Sequence, residues 1–223
     1  MFRTLALIVP LVFAVGMNQA HAGVMTTVPP PDIYVAGLWA TYDGSEFVSQ
    51  GEAMMYKPLL GDDVNILPDK YSATLGATSS GLFQMQANIT ADGTISEASF
   101  TVHGSLGTAS TGEVVLLSGT ITEMNMAVFS TSHILEFKVT DKEFTGTLAP
   151  FFQSQYGGAV IKMTLQSWHY GDSLYTFTDA FGATGAANIG RPVPEPASMA
   201  IWGSVLVVGS VFSRRRNRSR LAV

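Results

Sequence analysis

Cysteine is absent from the 223 residues of this chain. The chain therefore has neither a disulfide scaffold nor a thiol nucleophile, but an exported domain of about 170 residues can bury enough apolar surface to fold without disulfides. Arginine is absent from residues 23–190, where sixteen acidic residues and five lysines give a net charge of −11. A domain with this charge stays soluble and repels anionic polymers. We therefore expect no nucleic-acid partner.

Local motifs for catalysis and cofactor binding are also lacking. The sequence has no G-x-S-x-G elbow, no H-E-x-x-H pair and no glycine-rich phosphate loop. His103, His133 and His169 each lie in or beside a predicted strand, and none is close enough to another in sequence for a local metal motif. We therefore predict no enzyme, no catalytic residue, no metal ligand and no cofactor. A triad assembled from distant residues remains an alternative.

The N-terminus has the three parts of a secretory signal peptide. A positively charged start with Arg3 precedes an apolar run over residues 5–15, and Ala20-His21-Ala22 ends the segment as an A-x-A cleavage site. Pro10 within the run argues against a lasting membrane helix. The predicted signal peptide is residues 1–22, and the mature protein should start near Gly23.

A second apolar run predicts one transmembrane helix over residues 197–212. The run carries no charge and is shorter than the roughly 20 residues that span a bilayer comfortably, which suits a temporary anchor. Lys and Arg beside a membrane segment are retained on the cytoplasmic side, so we expect the preceding domain to lie outside. The basic stop after the helix consists of Arg214, Arg215, Arg216, Arg218 and Arg220.

Pro194, Glu195 and Pro196 directly precede this predicted helix. The order of Pro-Glu-Pro, apolar helix and arginine cluster resembles the PEP-CTERM sorting domain of exported proteins of Gram-negative bacteria, over about residues 192–220. The resemblance implies a sorting signal over 193–220 that an exosortase-like membrane enzyme recognises and cleaves. The protein would be anchored transiently in the inner membrane and then transferred to the cell surface or extracellular matrix.

Alternation of apolar and polar residues predicts antiparallel strands through most of residues 23–180. Phe83, Met85, Ala87 and Ile89 alternate with polar residues, and Asp92-Gly93 suits a hairpin turn before a strand over 95–102. Further strands are predicted at 113–123, 135–140, 144–148, 161–166 and 174–178. The predicted fold is all-β, either an antiparallel β-sandwich or an open barrel.

Glycine and proline mark the segments predicted to be irregular. Residues 45–60 and 60–72, which contain Gly51, Pro58, Gly61 and Pro68, are predicted as loops or irregular strands. Residues 181–192 are small and are predicted as a flexible tether between the domain and the sorting signal.

Two classes of ligand stay open. Carboxylates in turns at residues 43–46, 61–63 and 141–143 could bind Ca²⁺ weakly, with a dissociation constant of roughly 10⁻⁴–10⁻³ M, although Asp also favours turns for backbone reasons. Aromatic rings could stack on sugars if they are exposed, or pack the core if they are buried. The aromatic candidates are Trp39, Tyr42, Tyr56, Phe151, Phe152, Tyr156, Trp168, Tyr170, Tyr175 and Phe177.

Two functional hypotheses follow. The first is an exported bacterial surface or extracellular-matrix protein with a structural or adhesive β-domain, sorted through its C-terminal signal. The alternative is an exported carbohydrate-binding module or hydrolase that acts on the extracellular polymer matrix. The expected partners are the membrane before processing, the processing enzyme and an extracellular polysaccharide.

Overall fold

The computed structural model describes residues 30–129, 132–139, 144–153, 158–169, 177 and 180–192. All of them belong to one compact unit, Val24–Val193. The predicted signal peptide, the motif at Pro194, Glu195 and Pro196, the predicted membrane helix over 197–212 and the five arginines of the basic stop lie outside the described residues. Within the described residues, no helix is both long enough and apolar enough to cross a membrane.

Ten strands and two short helices make up the described part of the chain. The strands are β1 (Asp32–Tyr42), β2 (Glu46–Lys57), β3 (Val64–Leu67), β4 (Gly81–Ile89), β5 (Ile95–His103), β6 (Ser105–Leu106), β7 (Val115–Phe129), β8 (Ser132–Val139), β9 (Ala159–His169) and β10 (Phe181–Gly190). The helices are α1 (Lys70–Thr74) and α2 (Ala149–Phe152). The all-β prediction is therefore confirmed.

Eight of the strands form a closed antiparallel barrel. Their order is β1-β10-β9-β8-β7-β5-β4-β2, and β2 pairs back with β1. The sequence predicted a sandwich or an open barrel, but β1 has a partner on each side and so leaves no free edge in this ring. β3 pairs with the last residues of β2, and β6 pairs with β3.

Alternate side chains of the eight strands fill the barrel. On β4, Phe83 and Met85 are buried, whereas Gln84 and Gln86 lie on the outer face. An eight-stranded barrel has an interior just wide enough to be filled by side chains. Fully burying one large apolar side chain contributes about 1.5–3 kcal/mol, so these residues form the hydrophobic core. Other large buried side chains are Tyr42, Phe47, Phe100, Leu117 and Phe137.

For residues 45–60 the sequence predicted a loop or an irregular strand, and the loop is wrong, because β2 occupies most of the segment. Gly51 lies inside this strand and faces the core. A Cβ at this position would lie 2.7 Å from Val35 Cγ1 and 3.0 Å from Leu38 Cδ1. The glycine that suggested a loop is therefore required by close packing against β1.

The prediction of a flexible tether over residues 181–192 is also wrong for residues 181–190, which form β10. Phe181, Ala183, Ala187 and Ile189 are buried in the barrel. A Cβ on Gly185 would lie 1.9 Å from the carbonyl oxygen of Thr164 on β9. Small residues occur here because β10 approaches β9 closely, and the domain extends past residue 180.

Two smaller predictions need correction. Residues 144–148, predicted as a strand, make only an isolated bridge between Thr145 and Ser118 before α2 begins. The segment 60–72, predicted as loops or irregular strands, contains the short strand β3 and the start of α1. The strand predicted at 174–178 lies outside the described residues, except for Phe177. The hairpin of β4 and β5 agrees with the prediction, and Gly93 in its turn has a φ of 81°.

Candidate functional site

The acidic turn at residues 43–46, one of those that suggested calcium, has a local structural role. Asp43 Oδ1 accepts hydrogen bonds from the backbone nitrogen atoms of Glu46 at 2.8 Å and Ser45 at 2.9 Å, and these lower the pKa of the Asp43 carboxyl below its usual value. No group of three His, Asp or Glu side chains in the described part of the chain could hold a metal ion. Residues 141–143 lie outside it. The geometry at Asp43 thus favours a turn-forming role.

The histidines lie on different parts of the barrel. His103 ends β5 on the outer face, and His133 is buried on β8 in phase with the core residues Leu135 and Phe137. Burial lowers the pKa of His133. His169 ends β9, and its side chain lies outside the part of the chain that the structure describes. His103 and His133 are therefore separated by the barrel wall and do not form a shared site.

Asp69 connects α1 to the start of β7. It is 1% exposed and is the N-cap of α1. Its Oδ1 accepts hydrogen bonds from Ser72 N at 2.8 Å and Ser72 Oγ at 2.6 Å, and its Oδ2 accepts one from Val114 N at 2.6 Å. His103 Nδ1 lies 3.8 Å from Asp69 Oδ2. In a catalytic triad the histidine lies between serine and aspartate, whereas here Ser72 donates to Asp69 directly. This cluster positions α1 and does not form a proton relay.

Electrostatics keep the Asp69 carboxyl charged and the His103 imidazole neutral at pH 7. Burial raises the pKa of Asp69, but hydrogen bonds from Ser72 and Val114 outweigh this effect and hold it below its usual value of 3.8. Burial lowers the pKa of His103 below its usual value of 6.5, against the attraction of Asp69 and Glu113. The neutral imidazole ring stacks on Tyr71, with ring centroids 4.1 Å apart.

Tyr71 connects this cluster to the outer face of the barrel. Its hydroxyl donates a hydrogen bond to Gln84 Oε1 at 3.1 Å. Gln84 lies on β4, in register with Gln50 on β2 and Thr101 on β5. The register continues from Gln50 to Trp39 on β1. Trp39, Gln50, Gln84 and Thr101 thus form one row across four neighbouring strands, here called the central row.

A second row runs beside the central row, displaced by two residues along each of the same four strands. It contains Thr41, Val48, Gln86 and Ser99 on the same four strands. Neither row contains a charged residue, although the surrounding domain is strongly acidic. The two rows therefore form a neutral, polar surface on the outside of β1, β2, β4 and β5.

A shallow cleft of about 240 Å³ lies between the two rows on β2, β4 and β5. Trp39, 39% exposed, is next to Gln50 at the β1 side. The cleft is lined by Val48, Ser49, Gln50, Gln84, Met85, Gln86, Ser99, Phe100 and Thr101. Hydroxyl groups, amide groups and an exposed aromatic ring are the groups that proteins use to orient polar ligands.

A larger depression beside α1 is less suited to a ligand. It has a volume of about 620 Å³ and is lined mainly by small side chains, among them Ala73, Ala109 and Thr111. Asp69 also borders it, but both carboxylate oxygens already accept hydrogen bonds from Ser72 and Val114. We therefore regard the cleft between the two rows as the candidate site.

The structure places the aromatic candidates in two groups. Trp39 and Phe151 are exposed, by 39% and 55% respectively. Only Trp39 is next to the cleft. Tyr156, Tyr170 and Tyr175 lie outside the described residues, as does the side chain of Trp168. The buried candidates are Tyr42, Tyr56, Phe152 and Phe177.

The sequence did not single out Gln50, Gln84 or Tyr71 as site residues. The alternation of β4 does place Gln84 and Gln86 on one face, but cross-strand register is needed to bring Trp39 and Thr101 beside them. Comparisons with protein-family models, with curated proteins and with solved structures found no match to this chain.

Proposed function

We propose that this chain is an exported bacterial surface or extracellular-matrix protein whose barrel has a structural or adhesive role. The observation that carries the proposal is the neutral polar face beside Trp39, on a barrel whose interior is filled by apolar side chains. With its interior occupied, the barrel offers its outer surface for contacts. A rigid barrel that contacts polymers through an outer face suits adhesion.

The proposed destination depends on the two ends of the sequence. The predicted signal peptide over 1–22 starts export, and the segment resembling a PEP-CTERM sorting signal over 193–220 holds the chain at the inner membrane until an exosortase-like enzyme processes it. Cleavage near Pro194–Pro196 would remove the five arginines of the basic stop. The released protein would then be strongly acidic, as the composition of residues 23–190 requires.

Deletion of residues 193–220 tests this destination. Cells producing the full chain should contain it in the surface or matrix fraction, whereas the deletion variant should be absent from that fraction. A variant with Pro194, Glu195 and Pro196 all replaced by alanine separates recognition of the motif from membrane anchoring, and it should remain in the inner membrane. Unchanged surface attachment of both variants would reject the sorting proposal.

A hydrolase acting on the same polymer is the second candidate, because two carboxylates border the polar face. Glu46 Oε1 accepts a hydrogen bond from Gln86 Nε2, and Glu97 Oε2 accepts one from Asn88 Nδ2 at 3.0 Å. Glu97 also has a φ of 47°, which is unusual for a residue other than glycine. Glycoside hydrolysis uses a pair of carboxyl groups. Release of reducing ends that is lost in Glu46→Gln and Glu97→Gln would favour this candidate over a purely adhesive role.

A further inference from the structure

We propose that the cleft over β2, β4 and β5 binds an internal stretch of a neutral polysaccharide, with Trp39 as the stacking residue. This inference rests on the adhesive function proposed above and names the ligand of the adhesive face. Besides the exposed aromatic ring, three features of the cleft favour this class of ligand. They are its charge, its hydrogen-bonding groups and its shape.

Charge selects a neutral ligand. Residues 23–190 carry a net charge of −11, and an anionic polysaccharide would be repelled at long range. The two rows of the face contain neither lysine nor arginine that could pair with carboxylate or sulfate groups. Glu46 borders the face and accepts a hydrogen bond from Gln86. An uncharged polymer is therefore the ligand that this surface admits.

Hydrogen bonding selects a ligand rich in hydroxyl groups. Gln84 Oε1 is occupied by the Tyr71 hydroxyl, so its NH₂ group is presented as a donor. Gln86 Nε2 is occupied by Glu46, so its carbonyl oxygen is presented as an acceptor. Thr101, beside Gln84, adds a hydroxyl that can do both. Neighbouring sugar hydroxyls each donate and accept, and they match this mixture of groups.

The two aromatic residues at the cleft have different roles. Trp39 is exposed and can place the apolar face of its indole ring against a sugar ring. Tyr71 is held by its stack on His103 and by its hydrogen bond to Gln84, so it positions the Gln84 amide. Trp39 is thus a contact residue, and Tyr71 is a positioning residue.

The shape of the face favours an internal stretch of polymer over a chain end. Trp39 and Thr101 lie three strand intervals apart around the closed barrel, a path of roughly 14 Å along its curved surface at 4.7–4.9 Å for each interval. Beyond them the central row continues to Thr184 on β10 and to Ser118 on β7. Both flanking residues are small and polar, so neither of them blocks a polymer that extends beyond the face.

Affinity electrophoresis of the purified full-length chain in detergent tests this inference. Native gels would contain one of several neutral polymers (hydroxyethylcellulose, mixed-linkage glucan, galactomannan or dextran) or the anionic polymer alginate. We expect retardation by at least one neutral polymer and none by alginate. Because the ligand is uncharged, retardation should change little between low and high salt.

Variants test the assigned residues. Trp39→Ala should weaken binding by about tenfold or more, since truncating an aromatic anchor removes much of the contact energy. Gln84→Glu keeps an oxygen that can accept from Tyr71 but removes the NH₂ donor, and it should weaken binding by about fivefold. Phe151→Ala removes another exposed aromatic ring that belongs to neither row, and this control should bind as the original chain does.

Three outcomes would overturn the inference: no retardation by any of the neutral polymers, equal retardation by alginate, or unchanged binding by Trp39→Ala. Near-ultraviolet circular dichroism of each variant establishes that it is folded. If neutral polymers fail to bind but the chain still promotes attachment of cells, the ligand is wrong and the adhesive function stands. If binding is found together with release of reducing ends, the ligand is right and the non-enzymatic role is wrong.

Discussion

The phenol ring of Tyr71 stacks on the imidazole ring of His103, with centroids 4.1 Å apart and planes inclined by 29°. The stack joins α1 to the end of β5, and the Tyr71 hydroxyl then reaches Gln84 on β4. Three consecutive elements of the chain are thereby fixed to one another at the border of the candidate cleft. The stability of this contact therefore affects the geometry of the binding face.

Removal of the Tyr71 hydroxyl should measure its contribution. We expect Tyr71→Phe to lower the free energy of unfolding by about 0.5–1.5 kcal/mol, because the ring stack remains and only the hydrogen bond to Gln84 is lost. Denaturant unfolding measures the change. Tyr34→Phe on β1 is the matched control, because Tyr34 is 38% exposed. Equal stability of both variants would show that the bond contributes nothing.

Asp69 should be one of the most sensitive positions on the outside of the barrel. Asp69→Ala removes the N-cap of α1 and leaves the backbone nitrogen of Val114 without its acceptor, so a loss of about 2–4 kcal/mol is expected. Asp62→Ala, at an exposed acidic residue in the loop after β2, should change stability by less than about 0.5 kcal/mol. Similar effects of the two substitutions in thermal or denaturant unfolding would contradict the structural role of Asp69.

The stability of the domain should fall as pH falls below about 6.5. Burial lowers the pKa of both His103 and His133 in the folded state, so the unfolded chain binds more protons between pH 6.5 and the lower folded-state pKa values. The folded-state pKa of Asp69 is also lowered, so the free energy of unfolding continues to decrease as pH falls below 3.8. The free energy of unfolding, measured from pH 8 to pH 4, checks this pH dependence. We expect His103→Phe to reduce part of its slope against pH near pH 6. A slope that both His103→Phe and His133→Phe leave unchanged would exclude these groups as its source.

A pair of glycines on β10 tests whether residues 181–190 form a strand. Gly185→Ala would place a Cβ 1.9 Å from the carbonyl oxygen of Thr164, so we expect a loss of at least about 2–3 kcal/mol. Gly182→Ala meets nothing within 4 Å and should be well tolerated. If residues 181–192 were a flexible tether, both variants would have the original stability.

The sequence predicted strands in which apolar and polar residues alternate over most of the length. β4 keeps a period of two from Phe83 to Ile89 and β5 from Ala98 to His103, and the predicted hairpin agrees with the structure, although the register shifts beside Glu97. In β1 the register shifts between Val35 and Leu38, where the pattern of buried residues changes phase. β10 contains mainly glycine and alanine because of its close approach to β9, so it resembles a linker in composition.

The candidate cleft could be predicted only in part. Trp39 was one of ten aromatic candidates, and composition could not show that Tyr42 on the same strand is buried while Trp39 is exposed. The central row depends on the register of β1, β2, β4 and β5, which is set by their turns and bulges. The predicted sorting signal over 193–220 stays a prediction.

Attachment of living cells tests the central claim most directly. Cells producing the full chain, Trp39→Ala or Phe151→Ala would be adjusted to equal surface amounts by antibody labelling and applied to a surface coated with the neutral polymer that binds best. We predict that the original chain and Phe151→Ala retain cells, and that Trp39→Ala does not. Equal attachment of all three, or no attachment of the original chain above cells lacking it, would contradict an exported adhesive domain that acts through the face beside Trp39.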